Sequence, residues 1–221
     1  NRFVEGGYRI KPIHRLILLS ETYRQAYVAS APDVAREEDP DDSLLWRFPP
    51  RRLAAEEIRD SMLFASGQLD ERMGGPGFRL YQYTRDNVAS YTPLESFGPE
   101  TYRRSVYHQN ARASRIDLLS DFDAPDCAFS AARRVPTTTP AQALTLMNHS
   151  FTRTVAEALS ERLKREAAEG SAAQVRLAFE LLCGRSPSER ESMAAVNLIN
   201  RFGLRAFCRA MLNSNEFIYV N

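Results

Sequence analysis

The sequence predicts a mainly α protein: an antiparallel helical bundle in the C-terminal half, with a small β hairpin and a long aromatic loop in the middle. Three observations carry this prediction. Capping-box patterns recur at Thr139-Pro140-Ala141-Gln142, Ser171-Ala172-Ala173-Gln174 and Ser186-Pro187-Ser188-Glu189, each setting a hydroxyl before a helix and an amide or carboxylate three residues on. Apolar residues beyond position 150 recur at helical spacing, as in Phe151/Val155/Leu159/Leu163. The segments that join these runs are short, which makes neighbouring helices antiparallel.

The composition bounds the function. A chain of 221 residues with 43% hydrophobic and 26% charged residues buries a proper core. It is read as a single domain with three subregions: residues 1–69 helical, 70–138 loop-rich with short strands, and 139–221 the bundle. Asn1–Glu5 reads as the end of a helix, so the chain is expected to be a C-terminal fragment of a larger multidomain protein. A formal net charge of +1 gives no bulk attraction to nucleic acid, and nucleic acid is not an expected partner. No apolar run approaches the roughly 20 residues of a membrane span. Cys127, Cys183 and Cys208 form no CxxC pattern, so covalent haem attachment and zinc-ribbon chemistry lack support. Cys183 and Cys208 fall on predicted helices and read as buried free thiols, with a disulfide as the alternative in an oxidising compartment. His14, His108 and His149 show no ligand spacing, so neither metal nor cofactor is expected in this chain.

Taken in order, residues 11–31 read as one or two short helices with Pro12 in a first turn. Residues 32–50 read as a polar connector: Asp39-Pro40-Asp41-Asp42 is a turn signal, and Leu44, Leu45, Trp46 and Phe48 are expected to dock it on the core. Residues 51–69 read as a helix burying Leu53, Ile58, Met62, Ala65 and Leu69, with Glu56, Glu57, Arg59 and Asp60 placed off that face. Gly67 and Gly74-Gly75-Pro76-Gly77 end it. Residues 70–101 form the aromatic loop, and the alternation across 102–110 reads as a short strand. Residues 115–123 read as a helical turn ahead of an extended stretch to 138. Helices are then expected over 139–148, 150–168, 171–183, 187–202 and 204–215, with stripes that include Val175/Phe179/Leu182, Met193/Val196/Ile199/Phe202 and Leu204/Phe207/Met211.

Two groups of residues are candidates for function. The first is a polar cleft of Asp121, Asp123, Asp126, Arg133, Arg134 and Thr137, where carboxylates offer acid/base groups and arginines fork onto an anion. The competing structural reading is a network that pins an extended linker to the bundle. The second is an aromatic platform of Tyr81, Tyr83 and Tyr91 in the long loop. No nucleophile elbow or other diagnostic catalytic arrangement accompanies them.

Residues 1–27, 41–60 (DDSLLWRFPPRRLAAEEIRD), 102–107 (YRRSVY), 122–146 (FDAPDCAFSAARRVPTTTPAQALTL), 183–187 (CGRSP) and 212–220 (LNSNEFIYV) together resemble the C-terminal domain family catalogued as domain of unknown function 1553. The family is typical of planctomycetes and related bacteria. Its usual parents are large exported proteins with a c-type cytochrome domain and a companion domain of unknown function, sometimes with a lectin-like module. The resemblance implies a periplasmic or cell-surface setting, sister domains of the same polypeptide as partners, and haem held in a sister domain. It implies no reaction and carries over no catalytic residues. The leading expectation is a non-catalytic interaction or scaffold module. The alternative is a carbohydrate-directed enzyme or sugar-binding domain, with polysaccharide in a cleft between the aromatic loop and Asp121–Thr139.

Overall fold

In the computed structural model, which describes residues 1–25, 33–112 and 114–220, about half of the chain is helical, and eleven α-helices accompany two small two-stranded sheets. The chain divides into two compact units, residues 1–52 with 219–221, and residues 53–218.

The smaller unit holds α1 (Arg2–Glu5), α2 (Ile10–Leu18) and α3 (Asp33–Glu38). Pro12 lies in the first turn of α2, as expected. Residues 26–31 of the predicted helical region lie outside the described residues. The connector differs from expectation. Residues Asp33–Glu38 are helical, and Leu44 and Leu45 are exposed rather than docked, at 82% and 51%. The reason is local. The buried Asp39 carboxylate accepts from the Ser43 and Leu44 backbone N–H groups and the Ser43 hydroxyl, and its carbonyl accepts from the Trp46 indole at 2.8 Å. These bonds hold its pKa below the usual carboxylate range and close a turn that aims both leucines outward. The unit ends in an antiparallel pair, β1 (Arg51–Arg52) with β4 (Tyr219–Val220).

The larger unit opens with α4 (Ala55–Ser66). The Glu57 carboxylate accepts from Ala54 N–H, and Gly67 closes the helix at φ 74°. Its buried residues are Ala55, Ile58, Arg59, Met62, Leu63, Ala65 and Ser66, so Arg59 sits inside the core face and not among the outward charges. The hairpin pairs β2 (Tyr81–Arg85) with β3 (Ala89–Pro93), inside the expected region. Residues 102–110 are not a strand. Asp60 takes both the Ser105 N–H and its hydroxyl, and the chain coils into a 3-10 turn over Ser105–Tyr107, leaving only single bridges at Asp70–Arg103 and Phe78–His108. Arg103 explains the preceding glycine run: it donates to the carbonyls of Arg72, Gly74 and Pro76 while stacking on Tyr107. A Cβ on Gly77 would meet the Tyr107 carbonyl at 2.5 Å.

After the short α5 (Asp117–Ser120) come α6 (Pro140–Asn148), α7 (Ser150–Glu166), α8 (Ser171–Cys183), α9 (Glu189–Phe202), α10 (Leu204–Leu212) and α11 (Asn215–Ile218). Phe151, Val155, Leu159 and Leu163 of α7 are fully buried, and α4, α6, α8 and α10 pack around this helix. Of the three capping boxes, the first forms as read. Thr139 and Gln142 exchange both bonds. The second does not form, because Gly170 at φ 124° serves as the cap and Ser171 is already helical. The third shifts two residues to Ser188 and Glu191, whose carboxylate is also gripped by Arg185. The α9 stripe is only partly covered. Met193 and Phe202 are exposed, since α9 packs chiefly on α8 and α10. Cys127, Cys183 and Cys208 are free thiols, with Cys208 buried.

Candidate functional site

The Asp121–Thr139 segment is built by short-range hydrogen bonding onto α6. Asp123 turns at φ 61°, and its two carboxylate oxygens accept from the Thr137 N–H and hydroxyl, each at 2.8 Å. The Asp121 carboxylate accepts from the Thr145 hydroxyl. Gln142, buried under this bend, donates through Nε2 to the Asp121 carbonyl at 2.9 Å and the Thr137 carbonyl at 3.1 Å. The threonine run before α6 is thus a clasp, and Gln142 is its pin. Sequence reading gave Gln142 a capping role only. A buried amide with two carbonyl acceptors from a looping segment carries no local signature.

The arginines go elsewhere. Arg134 forks onto Glu56 of α4, Nη1–Oε2 at 2.7 Å and Nη2–Oε1 at 2.9 Å, and this bond raises the Arg134 pKa. Arg133 is exposed and pairs with none of the three aspartates. Asp126 is exposed and accepts from Ala128 N–H at 2.9 Å, an Asx turn. Five of the six polar residues, though neighbours in the chain, therefore divide among three separate arrangements, and Arg133 enters none of these three.

Two adjoining concavities, of 350 and 290 Å³, do gather part of the set. Asn110, Leu119, Asp126 and Cys127 line both, and His108 and Arg134 line the smaller. Cys127 Sγ donates to the Ala111 carbonyl at 3.2 Å and lies 3.4 Å from Asn110 Oδ1. Burial pushes the His108 imidazole down to about 4, with the nearby Arg59 charge acting in the same direction. Its Nε2 is closed to solvent and has no hydrogen-bond partner among the described residues. A thiol nucleophile needs a base within hydrogen-bond reach. Here the thiol proton is directed at two oxygens, so the concavity holds a cysteine and a histidine without a catalytic dyad. Among the described residues no group of three or more His, Cys, Asp or Glu side chains gathers for a metal.

The predicted platform tyrosines do come together. Tyr83 and Tyr91 are direct cross-strand partners with ring centroids 5.2 Å apart, and Tyr81 meets Tyr91 edge-on at the same distance. Tyr81 is buried and anchors the hairpin, while Tyr83 is 41% exposed. Strand alternation puts all three on one face.

The residue that sequence reasoning misplaced most is Arg59. It is 1% exposed and donates to the carbonyls of Thr101 and Arg103, to Ser105 Oγ and to Asp60. Its guanidinium lies 5.0 Å from the Phe78 ring centroid and 5.5 Å from that of Phe151. Burial pushes it down to about 10, against the opposing pull of Asp60, so it stays charged at neutral pH. The available signal was its place in the 55–58–59–62–63–66 spacing.

No curated protein and no solved structure matches this chain. A family model, PSD1, matches residues 1–199. With that span of shared sequence over this helical architecture, the chain belongs to the DUF1553 family of proteins of unknown function.

Proposed function

We propose that this chain is a non-catalytic interaction and scaffold module of an exported, c-type-cytochrome-associated protein, and that its partners are sister domains of the same polypeptide. The observation that carries this reading is the engagement of the candidate chemistry: Asp121 and Asp123 hold threonines, Arg134 holds Glu56, and the Cys127 thiol donates to the Ala111 carbonyl. Such groups brace a surface and do not act on a substrate. In support, none of the residues of α2 is buried, although Ile10, Ile17 and Leu18 give it an apolar side 50–60% exposed. Exposed apolar patches of this kind mark interaction sites. Any haem belongs to the sister domain in this proposal.

The test is calorimetric titration of this chain with the cytochrome and companion domains of a full-length relative. Saturable binding that Ile17→Asp weakens is expected. Absence of binding to either domain would overturn the proposal. A second reading, sugar binding, has one favourable observation in the Tyr83–Tyr91 pair on an exposed hairpin face. Saturable polysaccharide binding that Tyr83→Ala abolishes would establish it in place of the first.

A further inference from the structure

A different part of the larger unit carries charge that its own fold leaves unanswered. Gln68, Ser150, Arg153, Thr154, Arg205 and Arg209 line a concavity of 540 Å³ where α7 meets α10. One acid, Glu157, lines it too, and it is joined to Arg205 at 2.8 Å. Arg153 and Arg209 have no acceptor for their guanidinium groups among the described residues. Arg209 is half-buried, and its Nε is closed to solvent without a partner. Gln68 Oε1 is likewise buried without a donor.

Four other arginines of the chain show the contrast. Arg59, Arg103, Arg134 and Arg185 each satisfy several donors within the fold. Partly desolvating a guanidinium without an acceptor is unfavourable, and a bound anion removes that penalty. The planar fork of arginine matches the two oxygens of a carboxylate, sulfate or phosphate. The first turn of a 17-residue helix, α7, supplies Ser150 and Arg153, and its positive end favours negative charge; the Thr154 hydroxyl one residue on donates to the Ser150 carbonyl at 3.0 Å. The volume suits a small molecule.

We propose that this concavity binds a small ligand through an oxyanion group, held by Arg153 and Arg209, with Arg205 screening Glu157 and the Ser150 hydroxyl at its edge. The proposal stands apart from the scaffold reading, and either can fail alone.

The experiment is isothermal titration of the full chain with inorganic sulfate, inorganic phosphate and glucuronate, with glucose as the neutral control. Saturable binding of at least one of the three anions, weakening as salt is raised, is expected, and glucose should give none. Arg153→Gln and Arg209→Gln should each weaken it about tenfold or more, as loss of a charge-assisted hydrogen bond does. Arg153 is exposed, so Arg153→Gln keeps the test open if Arg209→Gln fails to fold. Tighter binding of glucuronate than of the inorganic ions would support the site and identify a sugar acid as its ligand. Equal or tighter binding of the inorganic ions would support it as a free-anion site. Failure of all three anions to bind overturns the proposal, as does binding that Arg153→Gln leaves unchanged.

Discussion

Replacing Arg59 by methionine tests the account of how the irregular middle of this chain is held. Methionine keeps an unbranched apolar stem against Phe78 and Phe151 but removes every donor. The carbonyls of Thr101 and Arg103 lose their partner, and the Ser105 hydroxyl keeps only Asp60. A buried acceptor left unpaired costs about 1–3 kcal/mol, so the two carbonyls set a loss of about 2–6 kcal/mol. Part is recovered, because the burial that lowers the Arg59 pKa also shows that the site resists the charge it holds. A net loss of about 2–4 kcal/mol is expected. Asp60 moderates it further by keeping its bonds to Ser105 N–H. The assay is urea unfolding of wild type and Arg59→Met. With a slope of about 2 kcal/mol per molar, the midpoint should fall by about 1–2 M at unchanged slope. A midpoint change equivalent to less than about 0.5 kcal/mol, the scale of ordinary surface substitutions, would refute the assignment of Arg59 as the tie between α4 and the 101–105 segment.

Gln142→Ala removes the donor to the Asp121 and Thr137 carbonyls together with the acceptor for Thr139 N–H. A loss of about 1–3 kcal/mol is expected in thermal unfolding, and an unchanged Tm would show that the threonine clasp holds without its pin. His108 has a folded pKa of about 4, below its ordinary value, so the unfolded chain binds a proton that the folded chain refuses. Stability from this group is therefore complete above about pH 6.5 and is lost as pH falls toward 4, by about 1–2 kcal/mol after allowance for solvent near the half-buried ring. His108→Gln should flatten the fall between pH 7 and 5. A variant that keeps the full slope would assign the effect to other groups.

The helices of the C-terminal half were legible in the sequence because each is specified locally. The spacing of Phe151, Val155, Leu159 and Leu163 needs only its own helix to be read, and all four are fully buried. The Thr139–Gln142 cap is likewise a matter of four consecutive residues. Reading weakened where two local solutions competed. Ser171 lost its capping role to Gly170, and Ser186 lost its own to Ser188, whose partner Glu191 is fixed by Arg185 from outside the helix.

The candidate cleft shows the same division. Chain proximity suggested that the aspartates and arginines of 121–137 act together, but Arg134 finds its acid 78 positions away in α4. The tyrosines were gathered as expected because a hairpin is a short-range structure and Tyr83 and Tyr91 fall in register across it. By itself the sequence determined the helical class, the hairpin and the family. Only the tertiary structure decided which charges are consumed within the fold and which stay open. Arg59 and Arg153 are the same residue type, each on a helix with ordinary local spacing. One meets the carbonyls of residues 101 and 103 and is sealed in the core, while the other lines a concavity without an acceptor among the described residues. That difference rests on which distant backbone groups arrive beside the guanidinium, and long-range packing sets it.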